Sequence, residues 1–260
     1  MFIEKLEASM QQSGGNLCVG LDPHRSQIPE RFKKSVKGIQ SFLDWIIDET
    51  AEHACAYKPN SAFYEALGSQ GWDVLGHVIE RVHRAGRPVI LDAKRGDIAS
   101  TAAAYASAAF DVLQTDAITL VPYMGSNAIT PFLQTGGFAF VLTLPSNPSS
   151  RRVVEHGTPS LAECVATLTV ELAEEYPDQL GMVVGATHAD AVARLDDISG
   201  NLPWLVPGIG AQGGQADAFF AAVRQKRLMV VNASRSILFA PDPKHAAKQM
   251  KQDIKEAQID

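Results

Sequence analysis

The chain has 260 residues, 46% of them hydrophobic and 20% charged, with a formal net charge of −6. That composition describes a globular protein able to bury a sizeable core. The acidic total speaks against nucleic acid or an anionic membrane as partner, so a phosphorylated ligand would need locally placed cations.

The first seven residues are amphipathic and acidic, unlike a secretory signal peptide, and no apolar run reaches the ~20 residues of a membrane helix. Short apolar runs then recur at 17–21, 54–58, 89–92, 117–121, 139–143, 181–185, 204–206 and 228–231. Between them the pattern predicts helices over 39–53, 72–85, 101–113, 160–175, 189–195 and 216–225. Strands apolar on both faces that alternate with helices imply a parallel sheet covered by helices. Eight such units favour a closed (β/α)8 barrel, an α/β fold spanning residues 1–260 as one domain, over an open doubly wound sheet. The segment 145–159, rich in Ser, Asn, Pro and Arg, reads as an extended loop after the fifth strand. The three cysteines, Cys18, Cys55 and Cys164, lack metal or redox spacing. Cys18 and Cys55 read as buried thiols, and the odd, low count suits a reducing cytoplasm.

The residues with chemistry follow the predicted strands. Asp22 follows the first, Lys58 ends the second, and Ser146 follows the fifth. In Leu91-Asp92-Ala93-Lys94-Arg95-Gly96-Asp97, the acid and the base two apart share one face of an extended backbone. Gly96 permits a sharp turn, and Thr101 opens an alanine-rich helical run. Burying so many charges is costly unless they pair with each other or with a ligand, so a structural ion-pair network and a catalytic array both remain open. Lys58 is either a Schiff-base lysine or the partner of Asp92 in an alternating Lys58–Asp92–Lys94–Asp97 array. Arg95 should point away from Lys94, as a structural ion pair would.

The stretch Pro207-Gly208-Ile209-Gly210-Ala211-Gln212-Gly213-Gly214 and the segment Asn232-Ala233-Ser234-Arg235 follow the seventh and eighth strands. Loops at these two places commonly bind phosphate in this architecture. Glycines let backbone N–H groups approach an anion, and Arg235 could grip two of its oxygens. The plain alternative for the glycines is a tight turn. Of the seven histidines, His24 falls near the rim, while His53, His77 and His83 fall on predicted helices. No histidine or cysteine spacing suggests a metal.

The run Asp92-Ala-Lys-Arg-Gly-Asp97-Ile98-x-x-Thr101 resembles the signature of the orotidine 5′-phosphate decarboxylase family. The resemblance extends from Asp22 to Arg235. It implies a cofactor-free, metal-free decarboxylation of orotidine 5′-monophosphate to UMP in pyrimidine biosynthesis. By the same resemblance Lys94, Asp92, Asp97 and Lys58 form the charge network, with Lys94 the proton donor. Asp22 would bind the ribose hydroxyls, Ser146 the pyrimidine, Arg235 the phosphate, and Gln212 would reach from phosphate to pyrimidine. The Ser146-Asn147-Pro148 motif and the Gly-Ala-Gln-Gly-Gly loop resemble the longer, second subtype of the family, although Leu144 and Pro145 depart from its more polar pattern.

Asp97, Ile98 and Thr101 are spaced to present one surface on the first helical turn. An apolar Ile beside an Asp at a barrel mouth is better buried against a second subunit, and the resemblance implies a homodimer in which these residues enter the partner's site. Three rivals stay on the page. One is a magnesium-using sugar-phosphate decarboxylase or synthase with the same Asp-x-Lys-x-x-Asp core. The others are a Schiff-base aldolase and a phosphate-binding module without catalysis.

Overall fold

The computed structural model describes residues 1–32, 35–187, 189–209 and 213–258, and the side chains of all of these except 213–215. Eight parallel strands form one sheet: β1 (Leu17–Gly20), β2 (Ala56–Lys58), β3 (Ile90–Arg95), β4 (Ala117–Leu120), β5 (Phe138–Leu144), β6 (Leu180–Val184), β7 (Trp204–Pro207) and β8 (Met229–Ala233). Their order is β2-β1-β8-β7-β6-β5-β4-β3. The two ends meet, because Tyr57 N–H donates to Pro88 O at 3.0 Å and Asp92 N–H donates to Pro59 O at 2.9 Å. The ladder therefore closes into the (β/α)8 barrel expected from the alternating pattern.

Strand side chains sort into two apolar layers. Outward residues such as Val19, Leu91, Ile118, Val141, Met182 and Val231 pack under the surrounding helices. Inward residues such as Cys18, Ala56, Ile90, Phe138, Phe140, Val183, Leu205 and Val230 fill the barrel. The alternation is the period of two of a pleated strand. The N-terminal helix Phe2–Ser13 closes the lower end with its apolar stripe: Phe2 lies 4.6 Å from Phe138 and 5.9 Å from Phe140 between ring centroids. Burying Phe2 and Leu6 stabilises the barrel by about 1.5–3 kcal/mol each. Cys18 and Cys55 are buried as expected, and burial pushes the Cys18 thiol up to about 12; Cys164 is exposed.

Several expected elements shift. The segment 145–159 is not all loop: Pro148–Ser150 forms a 3-10 turn and Arg151–Val154 a helical turn. The helix expected over 101–113 starts at Ala99 and ends in a π turn, Ala108–Val112. Of the helices outside the predicted set, which include Phe2–Ser13, two are capped by an Asn or Asp side chain. One is Ser61–Glu65, capped by the Asn60 side chain. The other is Pro243–Ala257, capped by Asp242 with Pro at its first position. No described helix is long and apolar enough to cross a membrane.

Candidate active site

The inward alternation on β3 carries Ile90, Asp92 and Lys94 to one face, and Asp92 stands at the upper end of the barrel interior. Lys58, at the end of β2, places its Nζ 2.6 Å from Asp92 Oδ2. Lys94 Nζ lies 2.5 Å from Asp92 Oδ1. Thr119 Oγ1, inward on β4, donates to Oδ1 at 2.9 Å, and Asn60 Nδ2 donates to Oδ2 at 3.3 Å. One buried carboxylate is thus gripped from β2, β3 and β4. Burial alone would raise the Asp92 pKa; the Lys58 and Lys94 charges outweigh it and hold the carboxyl well below the usual range. Burial alone would lower the Lys58 pKa, and the Asp92 and Asp22 charges outweigh that too, so it is raised. Lys58 is therefore fixed as an ammonium, the opposite of what a Schiff-base lysine needs.

Lys94 differs from Lys58. Its side chain is 44% exposed, against 6% for Lys58, so it offers its ammonium to the barrel mouth. Its backbone sits at φ 46°, in the left-handed region that a lysine rarely adopts. Its N–H donates to Thr119 Oγ1 at 3.0 Å, and the β3–β4 register shifts between Leu91 and Arg95. The turn expected at Gly96 is thus begun at Lys94. Gly96 is needed for another reason: a Cβ there would lie 2.9 Å from Val121 O. Arg95 points away, as expected, pairing with Glu65 at 2.9 Å and lying over the Tyr105 ring.

Asp22 links this array to a cavity. Its Oδ1 accepts from Asn60 N–H at 3.2 Å and its Oδ2 from Ser234 Oγ at 2.7 Å. Ser234, with Gln27, Ser146, Gly208, Asn232 and Arg235, lines a cavity of about 570 Å³. Ser146 is held there by close packing: a Cβ on Gly185 would lie 2.7 Å from the Ser146 backbone, and one on Gly208 3.2 Å from its Cβ. Arg235 is exposed, with no ion-pair partner among the described residues. The sequence-predicted Asp22, Ser146 and Arg235 therefore meet around one space, while Gln212 lies outside the described residues. His24 packs its ring against Phe63 at 4.4 Å and Phe239 at 6.0 Å.

Asp97 does not join the array within the chain. Its carboxylate accepts from Ile98 N–H at 2.8 Å, and it makes no ion pair with Lys58 or Lys94 among the described residues. Ile98 is 43% exposed and Thr101 is exposed beside it. Sequence reasoning missed Thr119 and the role of Asn60. Thr119 is the polar residue at an inward position of an otherwise apolar strand, a signal that was available. Among the described residues, no group of three or more His, Cys, Asp and Glu side chains is placed to hold a metal ion.

A barrel whose strand ends hold a lysine-flanked carboxylate beside an arginine-lined cavity is built for anionic ligands and for charge-stabilised chemistry. The comparisons with known proteins give the family. Residues 15–250 match the family described as "Orotidine 5'-phosphate decarboxylase / HUMPS family", and the chain belongs to it. It is 42% identical to the orotidine 5′-phosphate decarboxylase of Herpetosiphon aurantiacus, over 92% of this chain and 90% of that protein. It is 40% identical to the one from Roseiflexus castenholzii, over 98% of each. The solved structure of Leishmania donovani OMP decarboxylase superposes with a TM-score of 0.88 at 38% identity, covering 100% of this chain and 99% of that one.

Proposed function

We propose that this chain decarboxylates orotidine 5′-monophosphate to UMP and CO2, as the named relatives do. The observation that carries the reading is the Lys58–Asp92–Lys94 array: an ionised carboxylate held by two cations, one of them open to the mouth. Cleaving the C6–carboxylate bond leaves its electron pair on C6, in the ring plane and outside the π system. No electron sink is available there, so stabilisation must come from charge placed beforehand. Lys94 stabilises the carbanion and then gives C6 a proton, regaining one from solvent. Asp92 faces the departing carboxylate and disfavours its charge before the reaction. Lys58 and Thr119 hold Asp92 in register. Arg235 takes the phosphate, and this remote binding energy is used at the reacting carbon. Asp22 takes the ribose hydroxyls, and Ser146, with Gln212, the pyrimidine.

The exposed Ile98 and the detached Asp97 support a homodimer in which Asp97, Ile98 and Thr101 complete the partner's site. The Ser146-Asn147-Pro148 motif supports the longer subtype, and the low cysteine count a cytoplasmic location. The deciding experiment is turnover of orotidine 5′-monophosphate, followed as loss of pyrimidine absorbance after exhaustive chelation. Full activity without metal is expected. Loss of activity with EDTA, restored by magnesium, would move the chain to the sugar-phosphate branch of its family.

A further inference from the structure

The β3–β4 ladder is interrupted at the charge array. Leu91 stands opposite Ile118 and Arg95 opposite Leu120, so Asp92, Ala93 and Lys94 of β3 face Thr119 of β4 alone. Extra residues on one strand make a bulge, which bends the strand, re-aims its side chains and leaves backbone groups without ladder partners. This bulge ends on Lys94 at φ 46°, a conformation that a lysine keeps only where its surroundings impose it.

Thr119 supplies what the ladder lacks. It is 1% exposed and points into the barrel, with Ala117 before it also inward and Ile118 and Leu120 outward. Its hydroxyl accepts from the Lys94 N–H at 3.0 Å and donates to Asp92 Oδ1 at 2.9 Å. Both directions are fixed, because a backbone N–H can only donate and an ionised carboxylate can only accept. One oxygen atom thus ties the two ends of the bulge together. Asp92 Oδ1 is also the atom that holds Lys94 Nζ, at 2.5 Å. Lys58 uses the other oxygen, Oδ2. The cation on Lys58 fixes the charge of Asp92, whereas the Thr119 hydroxyl fixes where the Lys94 side chain begins and where its anchor lies. A β-branched residue suits this task, since its χ1 is stiff.

We infer that Thr119 is a positioning residue for the decarboxylation: its hydroxyl clamps the β3 bulge and so sets the aim of the Lys94 ammonium. The inference rests on the reading above, in which Lys94 acts at C6, and adds to it the group that directs the lysine. Thr119 acts through Lys94 and Asp92. Aim matters most as the bond to CO2 breaks, so the hydroxyl belongs to kcat more than to binding.

The test is the hydroxyl itself. For wild type, Thr119→Val and Thr119→Ser, kcat and KM are measured with orotidine 5′-monophosphate, UMP affinity by calorimetry, and the thermal midpoint by scanning. Valine keeps the shape and removes both hydrogen bonds. It is expected to lower kcat about 10- to 100-fold, the effect of a misaimed group, with KM and UMP affinity within about threefold of wild type. Serine restores the hydroxyl and is expected to recover most of the lost kcat. Thr119→Ala against Thr119→Ser carries the same comparison if the valine variant does not fold. A kcat in Thr119→Val within about threefold of wild type overturns the assignment while the decarboxylase reading stands. UMP affinity falling as far as kcat overturns it too, since Thr119 would then shape the pocket rather than aim the lysine. A serine variant as slow as the valine variant also overturns it, because the hydroxyl would not be the operative group. A folded wild-type protein that leaves orotidine 5′-monophosphate unchanged overturns the decarboxylase reading, and the assignment with it.

Discussion

Lys58→Met removes the buried cation that Asp92 leans on while keeping the length of the side chain. Both partners are nearly sealed, with side chains 6% and 9% exposed. Breaking a buried pair from one side costs about 3–5 kcal/mol, because the remaining charge is left uncompensated. Here Lys94, Thr119 and Asn60 still serve the carboxylate, which puts the loss at the lower end, about 3 kcal/mol. For a chain of this size that is a drop in thermal midpoint of about 6–12 °C. The pH dependence has a definite sign. The depressed Asp92 pKa contributes stability that is present above the unfolded carboxyl's pKa and lost as pH falls through the folded value. In Lys58→Met the depression is relieved, and protonation of Asp92 removes the unpaired charge. The gap between wild type and variant should therefore narrow from pH 7 to below about pH 4. Adding Asp92→Asn to Lys58→Met should recover most of the midpoint, since no charge is left buried. Calorimetric scans of the three proteins at both pH values decide it. An unchanged gap at low pH, or no recovery in the double variant, would refute the claim that Asp92 is ionised and held by Lys58.

Lys94→Ala should abolish turnover while UMP binding largely survives, because its part is played in the transition state; kcat within tenfold of wild type would remove it as proton donor. Arg235→Ala should weaken UMP by about 1.5–3 kcal/mol and leave uridine unaffected, read by titration of each ligand. Mixed Lys94→Ala and Asp97→Ala proteins should regain about a quarter of wild-type activity under random subunit exchange, since half the dimers would be heterodimers with one intact site each. Proven exchange without recovery would place Asp97 in its own chain's site.

What the sequence makes legible follows from how local the cause is. Asp92 and Lys94 can be assigned to one face because the period of a strand is local, and Lys58 because it ends an apolar run. Asp22, Ser146 and Arg235 could be gathered at one mouth only through the barrel, yet the alternation of strands and helices already implies the barrel. Thr119 was harder to see: its partner is 27 residues away, and only the β3–β4 register brings the two together. The left-handed backbone of Lys94 was not visible at all, since propensity alone would give that conformation to Gly96. The helix Pro243–Ala257 carried its signals openly, in Asp242 and Pro243, but lies beyond the last strand where no site directs attention.

The strain at Lys94 and the bonding of Thr119 belong to one arrangement. Lysine is long and flexible, and an ammonium acting at a ring carbon is effective only if it is aimed before the ligand arrives. Thr119 Oγ1 accepts from the Lys94 N–H and donates to Asp92 Oδ1, the same oxygen that holds Lys94 Nζ. The two ends of one residue are thereby tied to a single carboxylate through β4. That closed loop of hydrogen bonds is what holds φ at 46° against the preference of a lysine. It also orders the roles. Lys58, buried, holds the charge of Asp92; Asp92 and Thr119 hold the direction of Lys94; and Lys94, the most open of the four, has its ammonium free to turn from the carboxylate toward a ligand. When a carboxylate beside Asp92 leaves as CO2, the negative charge moves to carbon, away from Asp92's repulsion and toward the Lys94 ammonium. The attraction grows as the bond breaks, which is the condition for lowering a barrier rather than merely binding tightly.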